Sequence, residues 1–174
     1  MKLKSNYPQS VHISTPVLTL STFMNNLVPV ALELNKTNPE TSEDFENSNR
    51  TGQCYLAFGD TFGGRIGIQF IPEHDHENKI RYDVVANNKF SYLLESGTIC
   101  QTSNMPEKRI FKGGIKRLNY ITAVSGFHPK IDEAIAILCY SFLYGAPAKM
   151  LAEIFENDFV MVLFPTVEHC MGIK

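Results

Sequence analysis

Two histidines separated by one residue, His74 and His76, stand in the run Glu73-His74-Asp75-His76-Glu77. On an extended strand, side chains two apart point the same way, so both imidazoles can reach a single metal ion. A zinc ion that does chemistry takes three protein ligands and keeps a fourth position open. His169 is the expected third ligand, with His12, His128 and Cys170 as the other residues of suitable type. Such a site would make the chain a small metal-dependent enzyme, with His74, Asp75 and His76 as ligands or acid–base groups. The competing reading is a solvated loop, since five consecutive polar residues follow Pro72. The sequence holds no HExxH pattern that would place two histidines on one helix face.

Other reactive types occur in weaker settings. Glu168-His169-Cys170 sets an imidazole beside a thiol, but adjacent residues seldom have the geometry for proton transfer, and an ordinary tail is expected. Gly59-Asp60-Thr61-Phe62-Gly63-Gly64 offers backbone N–H groups to an anion, yet it lacks the Lys-Ser/Thr ending of a P-loop and leads into a strand. A hairpin turn is the simpler expectation. No GxSxG nucleophile elbow occurs.

Charge is distributed in two local clusters. Lys108, Arg109, Lys112, Lys116 and Arg117, with Phe111 and Tyr120 nearby, are the one stretch that could follow a nucleic-acid backbone. A solvated hairpin whose charges protect a sheet edge accounts for the same residues. The net charge of −2 gives no global attraction for nucleic acid or anionic membrane. Glu40, Glu43, Asp44 and Glu46 form an acidic group suited to a basic segment of a partner protein. That group lies in residues 36–52, where Phe45 is the one sizeable apolar side chain, so a long flexible loop is expected there.

The elements that would position these groups follow from periodicity. With 174 residues, 44% hydrophobic and 20% charged, the chain suits one globular domain over residues 1–174. Thr15-Pro16 can open a helix over 15–34, whose apolar residues recur at helical spacing and which Pro29 should kink or break. Residues 54–58 and 65–70 read as strands around the glycine turn, because Ile66, Ile68 and Phe70 alternate. Ile80, Tyr82 and Val84 repeat the alternation, and 90–94, 98–101, 109–112 and 116–124 are further strand candidates, the last two flanking Gly113-Gly114.

From Pro129 the period becomes 3.6. Pro129 opens a helix that is apolar nearly all round, Gly145 ends it, and Pro147 starts a second amphipathic helix. Residues 159–164, apolar on both faces, read as a buried strand. The expected class is therefore α+β: a mainly antiparallel meander with one buried face, an N-terminal helix, and a C-terminal helix pair followed by a buried strand. This order is broadly similar to small secretion-chaperone and adaptor folds.

The N-terminal residues have no apolar run of the signal-peptide kind, and no segment approaches the roughly 20 apolar residues of a membrane span. Cys54, Cys100, Cys139 and Cys170 contain no CxxC pair and are expected as reduced thiols in the cytoplasm. With no dominant catalytic motif, the expected function is non-catalytic binding of another protein, as an adaptor, chaperone-like or immunity-type subunit.

Overall fold

The computed structural model describes residues 2–5, 17–42, 53–62, 64–70, 81–96 and 113–171. Five antiparallel strands form one sheet: β1 (Lys2–Ser5), β2 (Cys54–Asp60), β3 (Arg65–Phe70), β4 (Gly114–Arg117) and β5 (Tyr120–Ser125). Their spatial order is β1-β3-β2-β5-β4. Two hairpins, β2–β3 and β4–β5, thus lie side by side, joined through β2 and β5 from Tyr55↔Ser125 to Asp60↔Tyr120. Among the described residues there are five helices: α1 (Val17–Thr37), α2 (Tyr82–Glu95), α3 (Pro129–Tyr144), α4 (Ala148–Ile154) and α5 (Phe159–Leu163). The class is α+β, with an antiparallel sheet, an N-terminal helix and C-terminal helices.

Both sheet faces are covered, where the alternating pattern of β3 suggested one. Tyr55 and Ala57 of β2 and Ile121 and Ala123 of β5 point to α2, where they meet Tyr82, Ala86, Phe90 and Leu93. Leu56, Phe58, Ile68, Ile115 and Val124 point the other way and pack with α1, α3, α4 and α5. Residues Cys54–Gly59 are consequently buried at every position. Each large apolar side chain sealed in this way contributes about 1.5–3 kcal/mol of transfer free energy.

The helix boundaries follow the capping chemistry. The imidazole of His128 accepts from Lys130 N, Pro129 occupies the first turn of α3, and Gly145 takes the left-handed conformation at its end with φ 72°. Helix α3 is buried along almost its whole length, as its all-round apolar pattern requires. Helix α1 runs through Pro29 without ending. Pro29 and Asn25, the residue whose carbonyl loses its helical partner, both face solvent, so water can satisfy that carbonyl.

Three further expectations need correction. Residues 80–84 and 90–94 were expected as strands, but Tyr82–Glu95 is one helix. Its buried face is Tyr82, Ala86, Lys89, Phe90 and Leu93, at helical spacing, and a lysine in that stripe disguises the pattern. Residues 159–164 do not form a buried strand. They make the short helix α5 and enter a 3-10 turn, with Asn157 Oδ1 accepting from Phe159 N. Phe159, Val160 and Leu163 face inward while Met161 and Val162 face solvent. Finally, the turn of the second hairpin is Leu118-Asn119; Gly113-Gly114 precedes and begins β4.

Candidate functional site

The two hairpin turns meet at one end of the sheet. In the first, the Asp60 carboxylate accepts from Phe62 N at 2.9 Å and Gly64 N at 3.2 Å, fixing the tip as an Asx turn. Gly59 allows this, since a Cβ there would lie 1.8 Å from the Gly64 carbonyl oxygen. In the second, Arg117 pairs with Tyr120 across the two-residue turn Leu118-Asn119. Thr61 N donates to Asn119 O at 2.9 Å and ties one tip to the other.

Each tip carries an apolar side chain outward. Phe62 is 86% exposed and Leu118 74% exposed. Leu118 also has φ 52°, a left-handed conformation that a leucine adopts at a cost of about 1–2 kcal/mol. Tight two-residue hairpin turns require positive φ at their first central residue, which glycine and asparagine adopt more readily than leucine. This position therefore combines backbone strain with an unburied apolar side chain.

Helix α3 braces both tips from beneath. Tyr140 donates its hydroxyl to Arg117 O at 2.7 Å, and Tyr144, one helical turn on, donates to Gly59 O at 3.3 Å. Tyr144 stacks on Tyr120 with ring centroids 4.2 Å apart and leans on Tyr140 at 4.9 Å. Burial pushes the Tyr140 phenol up to about 12, and burial with the neighbouring phenols raises Tyr144 further, so both hydroxyls stay protonated donors. Arg117 Nη1 lies 3.8 Å from Met150 Sδ, joining β4 to α4.

The opposite end of the same strands holds a closed polar cluster. Lys89 of α2 donates to Val124 O at 2.6 Å and to Asp132 Oδ2 of α3 at 3.1 Å. Asp132 Oδ1 in turn accepts from Phe127 N at 2.9 Å. Both side chains are almost wholly buried. The pair crosses from one covering layer to the other past Gly113, where a Cβ would fall 2.5 Å from Lys89 Nζ and 2.6 Å from Asp132 Cβ. Cys54 lies nearby, its thiol raised well above its ordinary value by burial first and by the Asp132 charge second. Joined to both covering layers, this cluster fastens them together.

The residues singled out in the sequence fall elsewhere. His74, Asp75 and His76 lie outside the described residues, as do Glu43, Asp44, Glu46, Lys108, Arg109 and Lys112. His169 is exposed on the C-terminal 3-10 turn, with Nε2 3.3 Å from Cys170 Sγ and 3.4 Å from Asn26 Nδ2 of α1. Among the described residues no group of three or more His, Cys, Asp or Glu side chains could hold a metal ion. Glu40 forms an exposed ion pair with Lys130. Lys116 is buried, with Nζ 3.5 Å from Leu94 O, so β4 does not present Lys116 and Arg117 as a solvated basic stripe.

Phe62, Leu118, Lys89 and Asp132 were not read from the sequence as a site. The available signal was a leucine in a two-residue turn, a position that glycine or asparagine normally fills. No helix among the described residues is long and apolar enough to cross a membrane. Compared with protein-family models, curated proteins and solved structures, the chain matches none.

Proposed function

We propose that this chain is a non-catalytic interaction protein, an adaptor, chaperone-like or immunity-type subunit, that docks a partner protein on its paired hairpin tips. The observation that carries the reading is Leu118, exposed and left-handed beside the exposed Phe62, on tips held by Tyr140 and Tyr144. A monomer gains nothing from a strained, solvent-facing leucine, whereas a rigid apolar pair serves as an anchor that loses little entropy on binding. Burying both side chains in a partner pocket would supply about 3–6 kcal/mol before the cost of association. Free, buried Cys54 and Cys139 accord with a reducing compartment, and the cytoplasm is the proposed location.

The test compares the wild-type chain with Phe62→Ser/Leu118→Gly. A stoichiometric partner recovered from the source cells should, once purified, bind the variant at least about tenfold more weakly. Undiminished binding by a folded variant would refute the reading.

A further inference from the structure

A second exposed apolar face lies on α4 and α5, and it goes beyond the tip surface. These helices are consecutive and pack on each other. Ile154 is 55% exposed, Met161 44% and Val162 56%. Their corner is tied down by Asn157, itself buried, which donates to Lys130 O and to Glu133 Oε2, both at 2.9 Å, while its Oδ1 accepts from Phe159 N at the start of α5. Glu156 turns the chain there with φ 51°.

The charged residues of α4, α5 and the turn that follows are predominantly acidic, with Lys149 of α4 the one lysine or arginine between Ala148 and Met171. Glu153, Glu156, Asp158 and Glu168 are all exposed, and no lysine or arginine occurs between Met150 and Met171. None of these four carboxylates has an ion pair among the described residues. An apolar strip containing a methionine and rimmed by unneutralised carboxylates complements a segment that is apolar on one side and basic on the other. A second copy of this chain would bring the same acidic rim against itself, which like-charge repulsion disfavours.

We infer that the α4–α5 face docks a basic amphipathic helix of a partner protein, with Ile154, Met161 and Val162 receiving its apolar side and the carboxylates meeting its lysines or arginines. The chain would then have two docking surfaces, the braced tips and this acidic face, as an adaptor that joins two partners requires.

The experiment uses a labelled Lys/Leu amphipathic peptide of about 14 residues, four helical turns, titrated with the full chain by fluorescence anisotropy. Saturable binding is expected, weakened at least about tenfold by Met161→Ser/Val162→Ser. Binding should also weaken in Glu153→Gln/Asp158→Asn, which leaves the apolar side chains in place, and as salt rises from about 0.05 to 0.5 M. Phe62→Ser/Leu118→Gly should bind the peptide as the wild type does, which separates this inference from the tip reading. No saturable binding, equal binding by the Met161/Val162 variant, or loss in the tip variant would each overturn it. A wild-type dimer that Met161→Ser/Val162→Ser dissociates would overturn it in favour of self-association.

Discussion

The two ends of the same three strands solve opposite problems. Where β2 and β4 begin and β5 ends, charge is inside: Lys89 and Asp132 are buried, and each is held by backbone groups as well as by its partner. Where β2 and β4 end and β5 begins, apolar surface is outside, on Phe62 and Leu118. A buried charge is tolerated only when paired and hydrogen-bonded, so the first end is complete in itself. An exposed, strained apolar residue gains nothing from its own fold, which is why the proposed docking surface is placed at the second end. Under the docking proposal, the buried polar cluster and the proposed functional end of this sheet lie at opposite ends.

The comparison is broken most severely at the closed end. Lys89→Met leaves Asp132 charged in the core and should cost about 3–5 kcal/mol, measured by urea unfolding. Adding Asp132→Asn keeps an acceptor for Phe127 N while removing the stranded charge. The double variant should recover about 1–3 kcal/mol of that loss. If Lys89→Met unfolds at the wild-type urea concentration, the cluster is not what fastens α2 to α3.

Alkaline pH tests both ends together. Tyr140 and Tyr144 at the tips, Cys139 within α3 and Cys54 at the closed end all have raised values in the folded chain. The unfolded chain releases these protons near the ordinary values of 9.0 for the thiols and 10.0 for the phenols. Their contribution is fully present below those values. It is lost as pH rises through them toward the folded values, by about 1.4 kcal/mol per pH unit for each group ionised only in the unfolded chain. The urea midpoint should hold from neutral to about pH 9 and then fall. Tyr140→Phe, which loses one hydroxyl bond, should flatten the fall; an unchanged slope would mean that its phenol titrates alike in both states.

Gly113→Ala asks whether the passage between the layers must be empty. The added methyl meets Lys89 Nζ and Asp132 Cβ, and the residue has φ 130°, so backbone strain alone costs about 1–3 kcal/mol. A melting temperature equal to the wild type would show that the cluster can move aside.

How far the sequence reveals this depends on what each residue does. Helix α3 was legible because Pro129 and Gly145 punctuate an apolar stripe, and β2–β3 because Ile66 and Ile68 alternate beside a glycine turn. Helix α2 was hidden because its stripe contains Lys89, whose burial depends on Asp132, a residue 43 positions away. Strand β1 is four residues whose pairing with β3 is entirely long-range. Gly113 looked like turn chemistry, whereas its lack of a side chain serves the ion pair. The tips were missed for the converse reason. Leu118 reads as part of a continuous strand over 116–124, and only the three-dimensional register reveals it as a turn residue.

The smallest expected effect on stability sharpens the comparison most. Leu118→Gly removes a left-handed leucine and an exposed apolar side chain, relieving about 1–2 kcal/mol of strain. The added freedom of glycine in the unfolded chain offsets about 0.5–1 kcal/mol of that gain. The net stability should stay level or rise by up to about 1 kcal/mol, read from the urea midpoint. Phe62→Ser, on a tip fixed by Asp60, should change stability by no more than about 0.5 kcal/mol. If the tips are the docking surface as proposed, partner binding should weaken in both single variants, because burial of either side chain would contribute to the complex and to nothing in the free chain. Stability and binding thus move independently, or in opposite directions, at the open end, while at the closed end Lys89→Met lowers both by unfolding the layers that carry the tips. If Leu118→Gly instead destabilises the free chain by more than about 1 kcal/mol, the leucine is packing within its own fold and the contrast between the two ends fails.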